Sequence, residues 1–208
     1  MTEIDLPSKA NLLDLSIPDN AWILAYERET KFLCWLAGQC WGNMVELGCN
    51  YGLTSRQLCL HNPRMDLFGV DYTAEPLEGP QAHEQPKGKD QIGKHALNLR
   101  NFHVVHCKSA EVDYASLPRI RKVFVDANHS YDSVKADSES ALAFLNCHAT
   151  RERCFIAWHD YFDHTNNDHW SGVRKYLHDE VAVRHPLMRL GNTSLAFALL
   201  GPWKDFKL

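Results

Sequence analysis

The chain has 208 residues, 45% hydrophobic and 23% charged, a globular balance that excludes a disordered or fibrous protein. One domain of this length buries roughly 70% of its unfolded surface. Lys+Arg 22 against Asp+Glu 26 gives a net charge of −4; with no long basic block, this excludes a dedicated nucleic-acid binder, whose affinity depends on clustered phosphate contacts.

Residues 1–21 read as loop, interrupted by Pro7 and Pro18. From 21 to 39, Trp22, Ile23, Leu24, Tyr26, Phe32, Leu33, Trp35 and Leu36 fit one or two amphipathic helices. Residues 1–40 are therefore expected to form a helical or lid segment ahead of an α/β core over 41–208, all within one domain. Trp22, Trp35 and Trp41 are expected in the core or the lid. Strands are predicted at 44–47, 67–70, 102–106, 122–125 and 154–158, and helices at 54–60, 92–100, 133–145 and 172–180. The polar stretch 73–90 reads as a long loop. Two last strands, 185–190 and 193–200, are joined by Gly191-Asn192, a hairpin signal. The expected fold is Rossmann-like: a mostly parallel seven-stranded sheet, helices on both faces, and an antiparallel C-terminal hairpin.

No apolar run approaches the ~20 residues that span a bilayer, so no membrane partner is expected. Residues 1–5 hold two acids and no basic apolar segment, so no signal peptide is expected. The seven cysteines are odd in number and form no C-x-x-C pair, which suits reduced thiols in a cytoplasmic protein.

In open α/β sheets, ligands bind beyond the carboxyl ends of the strands. After the first strand comes Val45-Glu46-Leu47-Gly48-Cys49-Asn50-Tyr51-Gly52-Leu53-Thr54. Gly48 and Gly52 would let the backbone turn tightly and approach a ligand at a helix N-terminus. Asp71, followed by Tyr72, ends the second strand, where an acid can accept hydrogen bonds from both hydroxyls of a ribose. The dinucleotide pattern G-x-G-x-x-G fails at Asn50 and Leu53, and no G-K-[ST] of a phosphate loop is present. A ribose acid without pyrophosphate chemistry suits a nucleoside with a short charged tail.

Together, Glu46-x-Gly48-x-x-x-Gly52, Asp71 and the final strand pair resemble class I S-adenosylmethionine-dependent methyltransferases. The resemblance implies that Glu46, Gly48, Asn50, Tyr51 and Gly52 line the methionine part of the cofactor, that Asp71 and Tyr72 flank the ribose, and that Ser109, Ala110 and Glu111 meet the adenine, with Asp126 beside them. Phe124-Val125-Asp126-Ala127-Asn128-His129-Ser130-Tyr131-Asp132-Ser133-Val134 resembles the "DGDHSYEGV" signature of small bacterial methyltransferases related to macrocin-type sugar O-methyltransferases and cephalosporin-hydroxylase-like proteins. Trp158-His159-Asp160-Tyr161 resembles their "HDY" element, and Gly172-Val173-Arg174-Lys175 their next helix start. In metal-dependent members these positions bind Mg²⁺, which implies Asp126, His159 and Asp160 here; His159 departs from the oxygen donors that Mg²⁺ prefers, leaving another divalent metal or an empty site open.

The resemblance further implies O-methylation of a small-molecule acceptor, and relatives commonly form homo-oligomers. Asp126 and His129 are the candidate catalytic residues, His129 as general base because imidazole titrates near neutral pH. Asp126 could instead cap the following helix, and His129 could only orient Asp126. Asp163, His164, Asp168 and His169, with Trp170, form either a solvated substrate loop or a further metal site. Two other functions stay open on this architecture: an NAD(P)-dependent oxidoreductase, and a non-catalytic binding module.

Overall fold

Strand β2 (Asn43–Leu47) is apolar except for Asn43 and Glu46, as suits a strand covered on both faces. β3 (Leu67–Asp71), β5 (Ile120–Val125) and β6 (Cys154–Trp158) are buried almost throughout, β5 even at Arg121 and Lys122. β4 (Phe102–His106) alternates, with His103 and His106 exposed, and stands at the sheet edge. In this computed structural model the described residues are 1–11, 13–15, 27–72, 88–161 and 171–204. β1 (Thr2–Ile4), β7 (Leu187–Leu190) and β8 (Ala196–Leu200) complete one eight-stranded sheet of order β1-β7-β8-β6-β5-β2-β3-β4. β8 runs antiparallel to both β6 and β7, and every other pairing is parallel.

The two-residue period of the strands divides the core. Val45, Val123 and Ile156 meet Val134, Leu142 and Leu145 of α4 (Tyr131–Ala149) on one face. Met44, Phe124 and Phe155 meet Phe32 and Leu36 of α2 (Glu27–Gly38) and Leu58 of α3 (Leu53–His61) on the other. α1 (Ser8–Asn11) packs near α2, and α5 (Ser171–Tyr176) packs on α4. All seven cysteines are free thiols. No described helix is long and apolar enough to cross a membrane.

Four expectations need correction. The sheet has eight strands rather than seven: residues 2–4, expected as loop, pair in parallel with 188–190. Three residues are too few to show a strand period. The helix expected at 92–100 is a series of turns. Gly93 adopts φ 68°, and the Gly93 and His95 N–H groups donate to the carbonyls of Asn50 and Tyr51 (2.7 and 3.0 Å) instead of continuing a helix. The helix expected at 172–180 passes into a π-helical turn at Leu177–Val181. The β7–β8 connection spans 191–195 rather than two residues, because the Thr193 hydroxyl donates to Leu190 O and accepts from Leu195 N–H. In addition, Trp41 is neither core nor covered: it is 68% exposed, with the Arg119 guanidinium 5.0 Å from its ring.

Candidate active site

A cavity of about 210 Å³ opens at the carboxyl ends of β2, β5 and β6. Its floor is Glu46, Phe124 and the turn from Gly48 to Thr54; Asp126 and His159 form one wall, and Glu29, Thr30 and Leu33 of α2 close another.

Glu46 is 1% exposed and accepts a hydrogen bond from the Ser55 hydroxyl. Burial, aided by the charges of Asp126 and Asp71, pushes its carboxyl up to about 8 against that bond. The two glycines of the turn serve the backbone more directly than the sequence suggests. A Cβ on Gly48 (φ +85°) would lie 2.1 Å from the Asp126 carbonyl, and one on Gly52 (φ +79°) 2.8 Å from Gly93. They let strand-end segments touch, and thereby set the turn against the cavity. Between them Asn50 takes φ 48°, and its N–H donates to Asp71 Oδ2 at 2.7 Å. The Tyr51 ring carries Lys94 Nζ 4.1 Å from its centroid. α3 begins at Gly52 without a side-chain cap, so its first amides, next to the cavity-lining Leu53 and Thr54, suit an anionic group.

Asp71, Tyr72 and Ser109–Glu111 lie outside the cavity lining, on the neighbouring ends of β3 and β4. Asp71 accepts from both Asn50 and Tyr72 N–H; burial raises its carboxyl, and those two bonds oppose the rise. Tyr72 is exposed. Ser109–Glu111 forms a short 3-10 turn with Ala110 and Glu111 exposed, and Ser109 bonds to the buried Asp137 of α4.

The wall carries the densest chemistry. The Asp126 N–H donates to Leu47 O, and Ser130 rather than Asp126 caps α4, so the capping role considered for Asp126 is taken by another residue. His129 Nε2 lies 3.1 Å from Asp160 Oδ2 and 3.6 Å from Asp126 Oδ1. His159 Nδ1 lies 2.8 and 3.4 Å from the same two oxygens. His159 Nε2 is 2.8 Å from Glu29 Oε2. Ligand atoms of Asp126, His129 and Asp160 all stand within 4.8 Å of one another, the spacing of a possible cation site. Burial would raise the Asp126 carboxyl, but the His159 charge and hydrogen bonds from His129 and His159 bring it down to about 2. Burial likewise opposes a charge on His159, yet Asp126, Asp160 and Glu29 hold its ring well above the ordinary imidazole value.

Local backbone aims these groups. Asp160 sits at φ 56°, a left-handed conformation that costs a non-glycine residue about 1 kcal/mol or more and brings its carboxylate toward both imidazoles. The Asn128 side chain accepts from Ser130 N–H, closing the turn that presents His129. Gly172 lets α5 approach that turn, since a Cβ there would meet His129 O at 2.3 Å. The stretch with Asp163, His164, Asp168, His169 and Trp170 lies outside the described residues, as does most of 73–90.

Ser55, Phe124 and above all Glu29 escaped the sequence reading as site residues. Glu29 did leave a signal: with Leu33 and Leu36 it falls on the buried stripe of α2, an unusual place for an acid.

The sequence matches the family described as a methyltransferase domain over residues 45–161, more than half of the chain. The fold is similar to that of the SAH-bound Podospora anserina methyltransferase PaMTH1, with TM-score 0.56, 14% identity, and coverage of 85% of this chain and 79% of that one. Cofactor-bound Rv0187 from MTB gives 0.57, 19%, and 89% and 84%. A Staphylococcus aureus protein described provisionally as a caffeoyl-CoA O-methyltransferase gives 0.57, 14%, and 92% and 88%. At such identities the likeness is one of fold. No curated protein matches the sequence.

Proposed function

The chain belongs to the methyltransferase-domain family, and on that premise we propose that it transfers a methyl group from S-adenosylmethionine to a hydroxyl of a small molecule, assisted by a divalent ion. One observation carries this reading: two carboxylates and two imidazoles meet at 2.8–3.6 Å, and two of them, Asp126 and His159, wall the cavity that the Gly48–Gly52 turn borders. The cofactor's chemistry fits the residues. The uncapped start of α3 suits the carboxylate of its methionine part, Asp71 suits its ribose, and the Ser109–Glu111 turn is offered to its adenine. When bound, the sulfonium supplies an electrophilic methyl group.

The protein's own contribution is alignment and proton transfer. Leu33 and Phe124 make part of the cavity apolar, which favours a displacement that neutralises charge. His129 Nε2 would take the proton that the acceptor hydroxyl gives up on methylation. Asp126 and Asp160 stabilise the resulting imidazolium. Asp126 and Asp160 would also hold the ion, with an imidazole nitrogen from His129 or His159. Two carboxylate oxygens and an imidazole suit a first-row transition dication better than Mg²⁺, and such an ion lowers the pKa of an acceptor hydroxyl. The free thiols agree with a cytoplasmic setting.

Calorimetric titration of S-adenosylmethionine, with Mn²⁺ and after chelation, tests the reading. Micromolar binding supports it and opens a screen of hydroxyl acceptors by labelled-methyl transfer. An absence of binding under every condition overturns it.

A further inference from the structure

Two imidazoles address the same pair of carboxylates, and their surroundings differ. His159 has a buried carboxylate behind it. Glu29, 4% exposed on the first turn of α2, spends its two oxygens on different parts of the chain: Oε1 accepts from the Ser194 N–H in the β7–β8 connection, and Oε2 faces His159 Nε2 at 2.8 Å. Ser194 O in turn accepts the Tyr161 N–H just past β6 (2.8 Å). Glu29 thus fastens α2, the β7–β8 connection and the end of β6 at one point.

A carboxylate that holds the proton of one ring nitrogen leaves the other nitrogen to present its lone pair, the usual support of a metal-bound histidine. His159 Nδ1 is that other nitrogen, 2.8 Å from Asp160 Oδ2 and 3.4 Å from Asp126 Oδ1. Donors adjacent on a six-coordinate ion, with bonds of 2.0–2.1 Å, stand about 3 Å apart, and these separations bracket that value. His129 meets the two carboxylates through Nε2, 3.1 Å from Asp160 Oδ2 and 3.6 Å from Asp126 Oδ1.

We propose that Glu29 is the positioning residue that makes His159, rather than His129, the imidazole donor of the ion site, leaving His129 to take the acceptor's proton. The proposal rests on the ion-assisted reading above and names the residue that divides labour between the two histidines. It also explains an acid on the buried stripe of α2: the helix that walls the cavity is tied to the ion site through a single side chain.

The test uses Co²⁺, whose visible spectrum reports an imidazole donor, on the full chain and on Glu29→Ala, His159→Ala, His129→Ala and the Glu29→Ala/His159→Ala double variant. S-adenosylmethionine titration serves as the check that each variant is folded. Glu29→Ala and His159→Ala are each expected to weaken Co²⁺ at least tenfold, with the double variant no weaker than His159→Ala. His129→Ala is expected to keep Co²⁺ affinity within threefold and to lose methyl transfer. The proposal is overturned if Glu29→Ala changes Co²⁺ affinity by less than twofold, if its effect multiplies with that of His159→Ala, or if His129→Ala is the variant that loses Co²⁺. A chain that binds S-adenosylmethionine but no Co²⁺ overturns it while leaving methyl transfer standing; failure to bind either overturns the broader reading too. Should Glu29→Ala not fold, a Co²⁺-soaked crystal of the unaltered chain decides. His159 Nδ1 on the ion with Nε2 on Glu29 supports the proposal, and a ring turned away overturns it.

Discussion

Glu46 on β2 and Asp126 just past the neighbouring β5 border the same cavity, yet they settle at opposite ends of the carboxylate range. Burial pushes both upward. Glu46 has a serine hydroxyl and two nearby acids for company and rises to about 8. Asp126 has two imidazoles and falls to about 2. The difference lies in the partners, since depth in the protein acts on both in the same sense. It divides the cavity into a neutral end on β2, where the proposed function puts the cofactor, and a charged end past β5 and β6, where it puts the reaction.

The strongest way to break this division is at the charged end. Asp126→Asn is expected to lower methyl transfer about 10³-fold, because it removes a charge facing the reacting proton; labelled-methyl assays on a responsive acceptor would show it, and a loss below tenfold would return Asp126 to a structural role. Next comes Glu46→Gln. The folded-state value of Glu46 lies above its unfolded one, so its contribution is fully present below about pH 4.5 and is lost as pH rises through about 8. The variant is therefore expected to be more stable than the parent at pH 9 by about 2 kcal/mol or more, measured by denaturant unfolding, with little difference at pH 4. Asp126 titrates the other way: its depressed value adds stability above about pH 4 that is lost as pH falls toward about 2. A chain in which Asp126→Asn leaves that acid limb unchanged would contradict the imidazole pairing. Asp71→Ala sharpens the cofactor side of the comparison, with S-adenosylmethionine affinity expected to fall at least tenfold, ~1.4 kcal/mol, by calorimetry.

How much of this was legible in sequence depends on range. The strand at 154–158 is found where its apolar run placed it, since a continuous apolar run needs only local residues to announce itself. The turn over 92–100 did not announce itself, because Gly93 and His95 bond to Asn50 and Tyr51, some 40 residues away. The same limit applies at the site. Asp126, His129, His159 and Asp160 stand in motifs and could be named. Glu29 stands in a helix with no motif, and only folding shows that its two oxygens reach Ser194 and His159.

By itself, then, the sequence determined the alternation of strands and helices, the order of the strand-end motifs and the residue types gathered there, because each is written in a local period or a short spacing. The tertiary structure alone decided the eighth strand, the glycines' contacts with Asp126 and Gly93, the split between Glu46 and Asp126, and the link from Glu29 to His159. These depend on distances of a few ångströms between residues far apart in the chain, and on the charge each buried group meets there, which no local pattern encodes.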